Sequence, residues 1–213
     1  MIAATGLCGA LALTAGAMVT PLLAAAPAAV WLAVMAFFRD PPRRPAEADA
    51  FLSPADGKVT DITPVGTDGL LGADGVRIGV LMSVLDVHVN RCPFAAEVVD
   101  VTHHGGGHAD ARKPEAAERN ESATILLTCR RGRDAYRVVV RQVAGLIARR
   151  IVTDLRPKQR LTAGERIGMV KFGSRVELMV PAGAVGEVAV TVGQTVRAGR
   201  TVLIRPPGQE KRP

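Results

Sequence analysis

Two places in the chain carry residue types that could do chemistry. The first is the stretch "GMVKFGSRVELMVP" at 168–181, where alternating apolar residues are interrupted by Phe172-Gly173-Ser174-Arg175. Glycine weakens a strand and marks a bulge or a close approach to the backbone. The adjacent hydroxyl is either a nucleophile or a bulge group hydrogen-bonded to the main chain. The Gly-x-Ser-x-Gly elbow of hydrolases is excluded, because Val176 stands where its second glycine would be.

The second is the set of four histidines. His88 lies in "LMSVLDVHVNRCP", two residues from Asp86, so at strand period both face one side of a sheet. It is either a satisfied core residue or a catalytic base. His103, His104 and His108 crowd into "THHGGGHADA" with Asp110, which invites a metal reading and hence a metal hydrolase. Gly105 to Gly107 leave those side chains without a regular element to fix them, so the expectation is a glycine-rich loop that folds over a substrate, with no metal. Asp56, in "LSPADGKV", has Pro before it and Gly after it, so it serves either a turn or an acid's role.

The elements that must position these groups are short strands. "GVRIGVLMSV", "YRVVVRQVAG", "RVELMVP" and "EVAVTV" have period two, are rich in Val and Ile, and are bounded by Gly, Pro, Asn or Asp. Only "DARKPEAAERNESA" has helical composition, and Pro114 makes it equally a loop. Residues 159–167 and 194–202 share the pattern Gln-x-apolar-x-Ala-Gly-x-x-apolar. Such turns resemble those of lipoyl and biotinyl carrier domains, although neither copy has a lysine to modify. The predicted fold is mainly β, a compact barrel or sandwich with lipoyl-like (hammerhead) turns over residues 51–213.

Residues 1–38 contain no charged side chain, and "RDPPRRP" then begins abruptly at Arg39. A spanning helix needs roughly 20 residues, so the tract predicts a helical membrane anchor, either a hairpin broken near Pro21 and Pro27 or one span plus an interfacial piece. Residues 39–50 read as a proline- and arginine-rich linker. Arg39, Arg43 and Arg44 beside the tract favour a catalytic domain on the cytoplasmic face of the cell membrane. Twenty-seven Lys and Arg against 20 Asp and Glu give a net charge of +7, which suits an anionic phospholipid surface. Nucleic acid is disfavoured, since only 3% of residues are aromatic and the cations are scattered. The three cysteines, Cys8, Cys92 and Cys129, have no paired spacing and predict neither disulfides nor a zinc knuckle.

Taken in order, the apolar tract, "FRDPPR", "SPADGKV", "LMSVLDVHVNR", "RNES", "QVAGLIARRIV" and "GMVKFGSRVELMVP" resemble the short form of phosphatidylserine decarboxylase. The resemblance runs from about Phe37 to Ile204, and "FGSR" in a chain that also has "DVHVNR" is its most specific part. It implies a proenzyme that cuts itself between Gly173 and Ser174, giving a β chain of residues 1–173 and an α chain of 174–213 that stay together as a heterodimer. Ser174 would become a pyruvoyl cofactor, which forms a Schiff base with the amine of phosphatidylserine and takes up the electrons left when CO2 departs.

By the same resemblance His88, held by Asp56, would be the base for Ser174 and later the proton donor. Arg91 and Arg175 are the candidate substrate-binding residues, Arg91 for the phosphate or carboxylate. The chain departs from longer members by carrying Arg91 where they have a second histidine, from many relatives by Ser122 in "RNES", and by lacking Pro-Gly in the histidine loop. Assembly into a homo-oligomer is left open. A non-catalytic, membrane-anchored lipoyl-like scaffold is the competing reading from another class, beside the metal hydrolase.

Overall fold

Alternation of Val, Ile and Leu with smaller or polar residues builds strands that bury one face in a common core. The computed structural model describes residues 21–47, 49–107, 119–131, 134–145, 150–171 and 173–208. The chain divides into two units, Met1–Asp40 and Pro41–Pro213. Most of the expected linker therefore belongs to the β unit. Within it the Arg43 side chain is only 8% exposed.

In the first unit, helix α1 (Pro21–Phe37) runs through Pro27 without a break, where the sequence predicts an interruption. At about 1.5 Å per residue its 17 residues reach about 25 Å, short of the roughly 30 Å hydrocarbon layer. Among the described residues no helix is long and apolar enough to cross a membrane. The first half of the expected anchor lies outside the described residues.

The second unit is mainly β, as expected. Strands β1 (Phe51–Leu52), β2 (Gly57–Val65), β3 (Gly75–Met82), β4 (Val89–Arg91) and β5 (Ala96–His104) are followed by two long strands, β6 (Ser122–Arg131) and β7 (Asp134–Val143). Then come β8 (Ile151–Val152), β9 (Arg160–Leu161), β10 (Arg166–Val170), β11 (Ser174–Pro181), β12 (Glu187–Val188), β13 (Thr195–Val196) and β14 (Val202–Arg205). They form an eight-stranded sheet in the order β13-β2-β3-β11-β7-β6-β5-β9 and two three-stranded sheets, β4-β10-β8 and β1-β14-β12. "EVAVTV" yields only the two residues of β12. The helical composition near 110–123 falls largely on residues outside those described, and β6 begins at Ser122.

The large sheet packs one face against the main core. Ile78, Val80 and Met82 of β3, Val138 and Val140 of β7, and Val176, Leu178 and Val180 of β11 all point into it. Each such side chain contributes about 1.5–3 kcal/mol by leaving water. Alternate residues of β11 face the other way, where Met179 packs with Val139 and Leu71.

The two sequence echoes are equivalent in space. The Gln159 side chain accepts from the Arg156 N–H and the Gln194 side chain from the Thr191 N–H, both at 3.1 Å. Each copy then runs through a left-handed glycine, Gly164 (φ 78°) or Gly199 (φ 67°), into the next strand. The glycine turns touch: a Cβ on Gly199 would lie 3.2 Å from the Gly164 Cα.

Candidate active site

The break in the strand pattern at Gly173-Ser174 is a change of sheet. β10 ends at Val170 in a three-stranded sheet and β11 begins at Ser174 in the eight-stranded one. A simple bulge is thereby corrected to a crossing between two sheets. Gly173 has φ 58°, the left-handed region that costs other residues about 1–2 kcal/mol. Among the described residues beyond its chain neighbours, no heavy atom lies within 4 Å of where its Cβ would be, so conformation rather than crowding asks for glycine here.

β11 lies between β3 and β7, and Ser174 stands opposite Met82. Ser174 is fully buried, and its Oγ donates to Met82 Sδ at 3.4 Å. A backbone-bonded serine, the bland expectation, is not what is found. A thioether is a weak acceptor, so the hydroxyl is located without a strong bond tying up its oxygen. Asn90 of β4 donates to the same sulfur at 3.6 Å, and Gln142 of β7 donates to Asn90 Oδ1 at 2.7 Å. Asn90 and Gln142 are both 0% exposed. Gly168, which faces Asn90 across β10 and β4, leaves room for this amide pair; a Cβ there would lie 3.0 Å from Gln142 Nε2 and 2.5 Å from Val152 O.

His88 is fully buried and sits directly before β4, two residues from Asn90. Its Nδ1 lies 2.9 Å from the Asp86 carbonyl oxygen. A carbonyl only accepts, so Nδ1 carries a proton. The expectation that Asp86 and His88 share a strand face is not met. Residues 83–86 form a turn, and Asp86 Oδ2 folds back to accept from the Ser83 N–H at 2.7 Å.

Asp56, the acid that the resemblance assigns to His88, has Arg43 and Ala198 as partners. Both its oxygens are engaged by Arg43, with Nη2 2.7 Å from Oδ2 and Nη1 against Oδ1, and the Ala198 N–H donates to Oδ1 at 2.7 Å. It therefore locks the chain near Arg43 onto the second glycine turn. The Asp86 carbonyl holds the imidazole at Nδ1. Gly57 behind it is also required, since a Cβ would lie 2.1 Å from Leu81 O.

The two candidate substrate-binding arginines also have structural partners. Arg91 is 8% exposed and donates to Gly164 O at 2.8 Å and Pro41 O at 3.0 Å. Arg175 points away from Ser174, as alternate strand residues must. Its guanidinium meets Glu177 at 2.9 Å, Thr60 at 2.9 Å and Asp61 at 2.8 Å. Gly79 makes this possible: a Cβ there would fall 2.3 Å from Arg175 Nη2.

His103 and His104 are exposed at the end of β5, while His108 and Asp110 lie outside the described residues, so the metal reading of that loop does too. Neither described cysteine offers a nucleophile. Burial pushes the Cys92 thiol up to about 12, and burial likewise raises that of Cys129. Ser174 is a fully buried hydroxyl beside the peptide carbonyl of Gly173. Sequence reasoning missed Met82, Asn90 and Gln142. Period two in "YRVVVRQVAG" carried a hint, since it puts Gln142 on the strand face of Val138 and Val140, where an amide demands a partner.

Comparison with known proteins adds an independent line. The family model described as phosphatidylserine decarboxylase matches residues 31–204. A phosphatidylserine decarboxylase proenzyme of Trichlorobacter lovleyi is 44% identical over 186 residues, covering 85% of this chain and 82% of that protein. One of Nitrosomonas eutropha is 41% identical over 175 residues, covering 82% and 78%. One of Desulfotalea psychrophila is 40% identical over 168 residues, covering 78% and 76%.

Proposed function

The chain belongs to the phosphatidylserine decarboxylase family, and from that premise we propose that it is a proenzyme which cuts itself between Gly173 and Ser174 and then decarboxylates phosphatidylserine to phosphatidylethanolamine and CO2. One observation supports this most directly. The Ser174 hydroxyl is buried against a thioether, immediately after a left-handed glycine at the join of two sheets.

In self-cleavage Ser174 Oγ attacks the carbonyl carbon of Gly173. The new C–O bond forms as the C–N bond breaks, and the hydroxyl proton ends on the freed nitrogen, leaving an ester. His88, held at Nδ1 by the Asp86 carbonyl, is the base that takes the proton on the way. Removal of the Ser174 α-proton then expels the Gly173 carboxylate, and water replaces ammonia at the resulting enamine carbon. The product is a pyruvoyl group at position 174.

The surroundings fit such a group. A planar carbonyl needs less room than the tetrahedral serine it replaces, and Asn90 Nδ2, resting on a weak sulfur acceptor, is a donor it can use. Bound there, the pyruvoyl carbonyl supplies an electrophile for the substrate's amine and a sink for the electrons released with CO2. His88 returns a proton to the substrate carbon, a general-acid contribution of roughly 10²–10⁴-fold. The α and β chains stay together after the cut, because β11 remains paired along eight positions with β3 and along five with β7. The apolar N-terminal tract is the proposed anchor, with the β unit on the cytoplasmic face.

Mass spectrometry of the denatured protein tests the reading. Two chains are expected, the smaller starting with a blocked group at 174, and Ser174→Ala remains one chain without activity. A single wild-type chain with an ordinary Ser174 would refute it.

A further inference from the structure

Between Met82, the register partner of Ser174, and His88, the chain makes the tight turn 83–86. The Asp86 N–H donates to Ser83 O at 3.1 Å while Asp86 Oδ2 accepts from the Ser83 N–H, so the two ends pin the turn. Its tip is Val84 and Leu85, 47% and 84% exposed. Turn tips ordinarily carry Gly, Asn, Asp or Ser. Here Leu85 is the most exposed large apolar side chain among the described residues. Leaving it in water forgoes the stabilisation that burial gives, while a rigid turn keeps it presented.

Cations stand beside the segments that lead to Met82 and Ser174. Lys58 is exposed and stands opposite Leu81 across β2 and β3. Arg150 is exposed and Lys171 half-buried; they flank the paired residues Ile151 and Val170, and Lys171 is three residues from Ser174. An apolar tip on a unit that carries these cations suits the boundary of an anionic bilayer, acyl chains beyond phosphates.

The reading above makes the substrate a lipid whose chains stay in the bilayer, while the reacting residue is fully buried. Only the polar head can travel to Ser174, so the surface beside the site must meet the head-group layer. Resting on that reading, we infer that turn 83–86 is where the catalytic unit enters an anionic membrane, with Val84 and Leu85 among the acyl-chain ends and Lys58, Arg150 and Lys171 on the head groups. The element that docks is then continuous with those that hold Met82 and His88. A lipid head is delivered where the turn seats.

Full-length Leu85→Glu separates the possibilities. It is expected to form both chains and to turn over short-chain phosphatidylserine dispersed below its aggregation limit as wild type does. On vesicles of phosphatidylserine in phosphatidylcholine its turnover should fall about tenfold, the scale of one buried leucine lost from an interface. Unchanged vesicle turnover overturns the inference, and so does an equal loss on both substrates or failure of this variant alone to self-cleave. If wild type itself stays uncleaved, the functional reading fails instead. As a second measurement, Leu85→Trp in a Trp31→Phe background should be quenched by brominated phosphatidylcholine in the same vesicles. Unquenched fluorescence also overturns the inference.

Discussion

Ser174 Oγ meets Met82 Sδ at 3.4 Å across the β3 and β11 pairing, a hydroxyl held by an acceptor too weak to compete for it. Replacing sulfur with a strong acceptor should therefore cost more than removing it. Met82→Leu, close in volume, is expected to self-cleave within about threefold of wild type. Met82→Gln should slow cleavage by about tenfold, because a real hydrogen bond of roughly 1–1.5 kcal/mol must break before attack. The rate of chain separation on denaturing gels after synthesis measures both.

The Arg43–Asp56 pair makes a different statement. Their side chains are 8% and 11% exposed, and Asp56 also takes the Ala198 N–H. Arg43→Met would strand a nearly buried carboxylate, so a loss of roughly 3–5 kcal/mol in urea unfolding is expected. Asp56→Asn tests chemistry against structure. If it lowers stability and leaves the cleavage rate of the folded fraction within a few-fold, the role of Asp56 is the lock seen here.

How much of this was legible in the sequence depends on distance along the chain. Period two gave the strands β3, β7 and β11, and the Pro-Ala-Asp-Gly pattern marked a bend that the structure contains at 54–56, just before β2. Gly173 announced an unusual backbone, but a one-dimensional pattern does not distinguish a bulge from a change of sheet. The neighbours of Ser174 were hidden because register assembles them: Met82 is 92 residues away and the Gln142–Asn90 bond spans 52. The role of the 39–50 segment was hidden for the same reason. Its charge and prolines look like a spacer, yet Arg43 reaches Asp56 and the Ala198 carbonyl.

Cys92 sets an alkaline limit. Its thiol is pushed up to about 12 by burial in the folded chain, against roughly 8.5 when unfolded. In that window the unfolded chain binds fewer protons than the folded one, so stability falls as pH rises, by about 1.4 kcal/mol per unit from this group. Below the window the group contributes no slope. Cys92→Ala should therefore flatten the decline of melting temperature above pH 9 relative to wild type, and thiol reagents at neutral pH should label Cys92 only after unfolding.

Gly79 supports Ser174 from the far face of the sheet. Alanine there would put its Cβ 2.3 Å from Arg175 Nη2 and 2.6 Å from Asp61 Oδ2, in the ion-pair network that anchors the residue after the cleavage site. A loss of roughly 1–3 kcal/mol is expected from overpacking. Unfolding in urea reads this directly, and a change below about 0.5 kcal/mol would mean that the network yields without cost.

Gly173 separates space from conformation as the requirement at the scissile bond. A Cβ would meet no described residue beyond its chain neighbours within 4 Å, so packing against the rest of the unit does not oppose Gly173→Ala. The left-handed φ of 58° still disfavours alanine by about 1–2 kcal/mol. If that geometry is the one in which Ser174 Oγ attacks, its population and the cleavage rate should fall roughly 5- to 30-fold, since 1.4 kcal/mol is a factor of ten. Gly173→Pro, with φ fixed near −65°, should not cleave at all. Rates from timed mass spectrometry decide the matter: an alanine variant that cleaves as fast as wild type would show that the left-handed turn is incidental to attack, and one that never cleaves would show that glycine is needed for more than its φ.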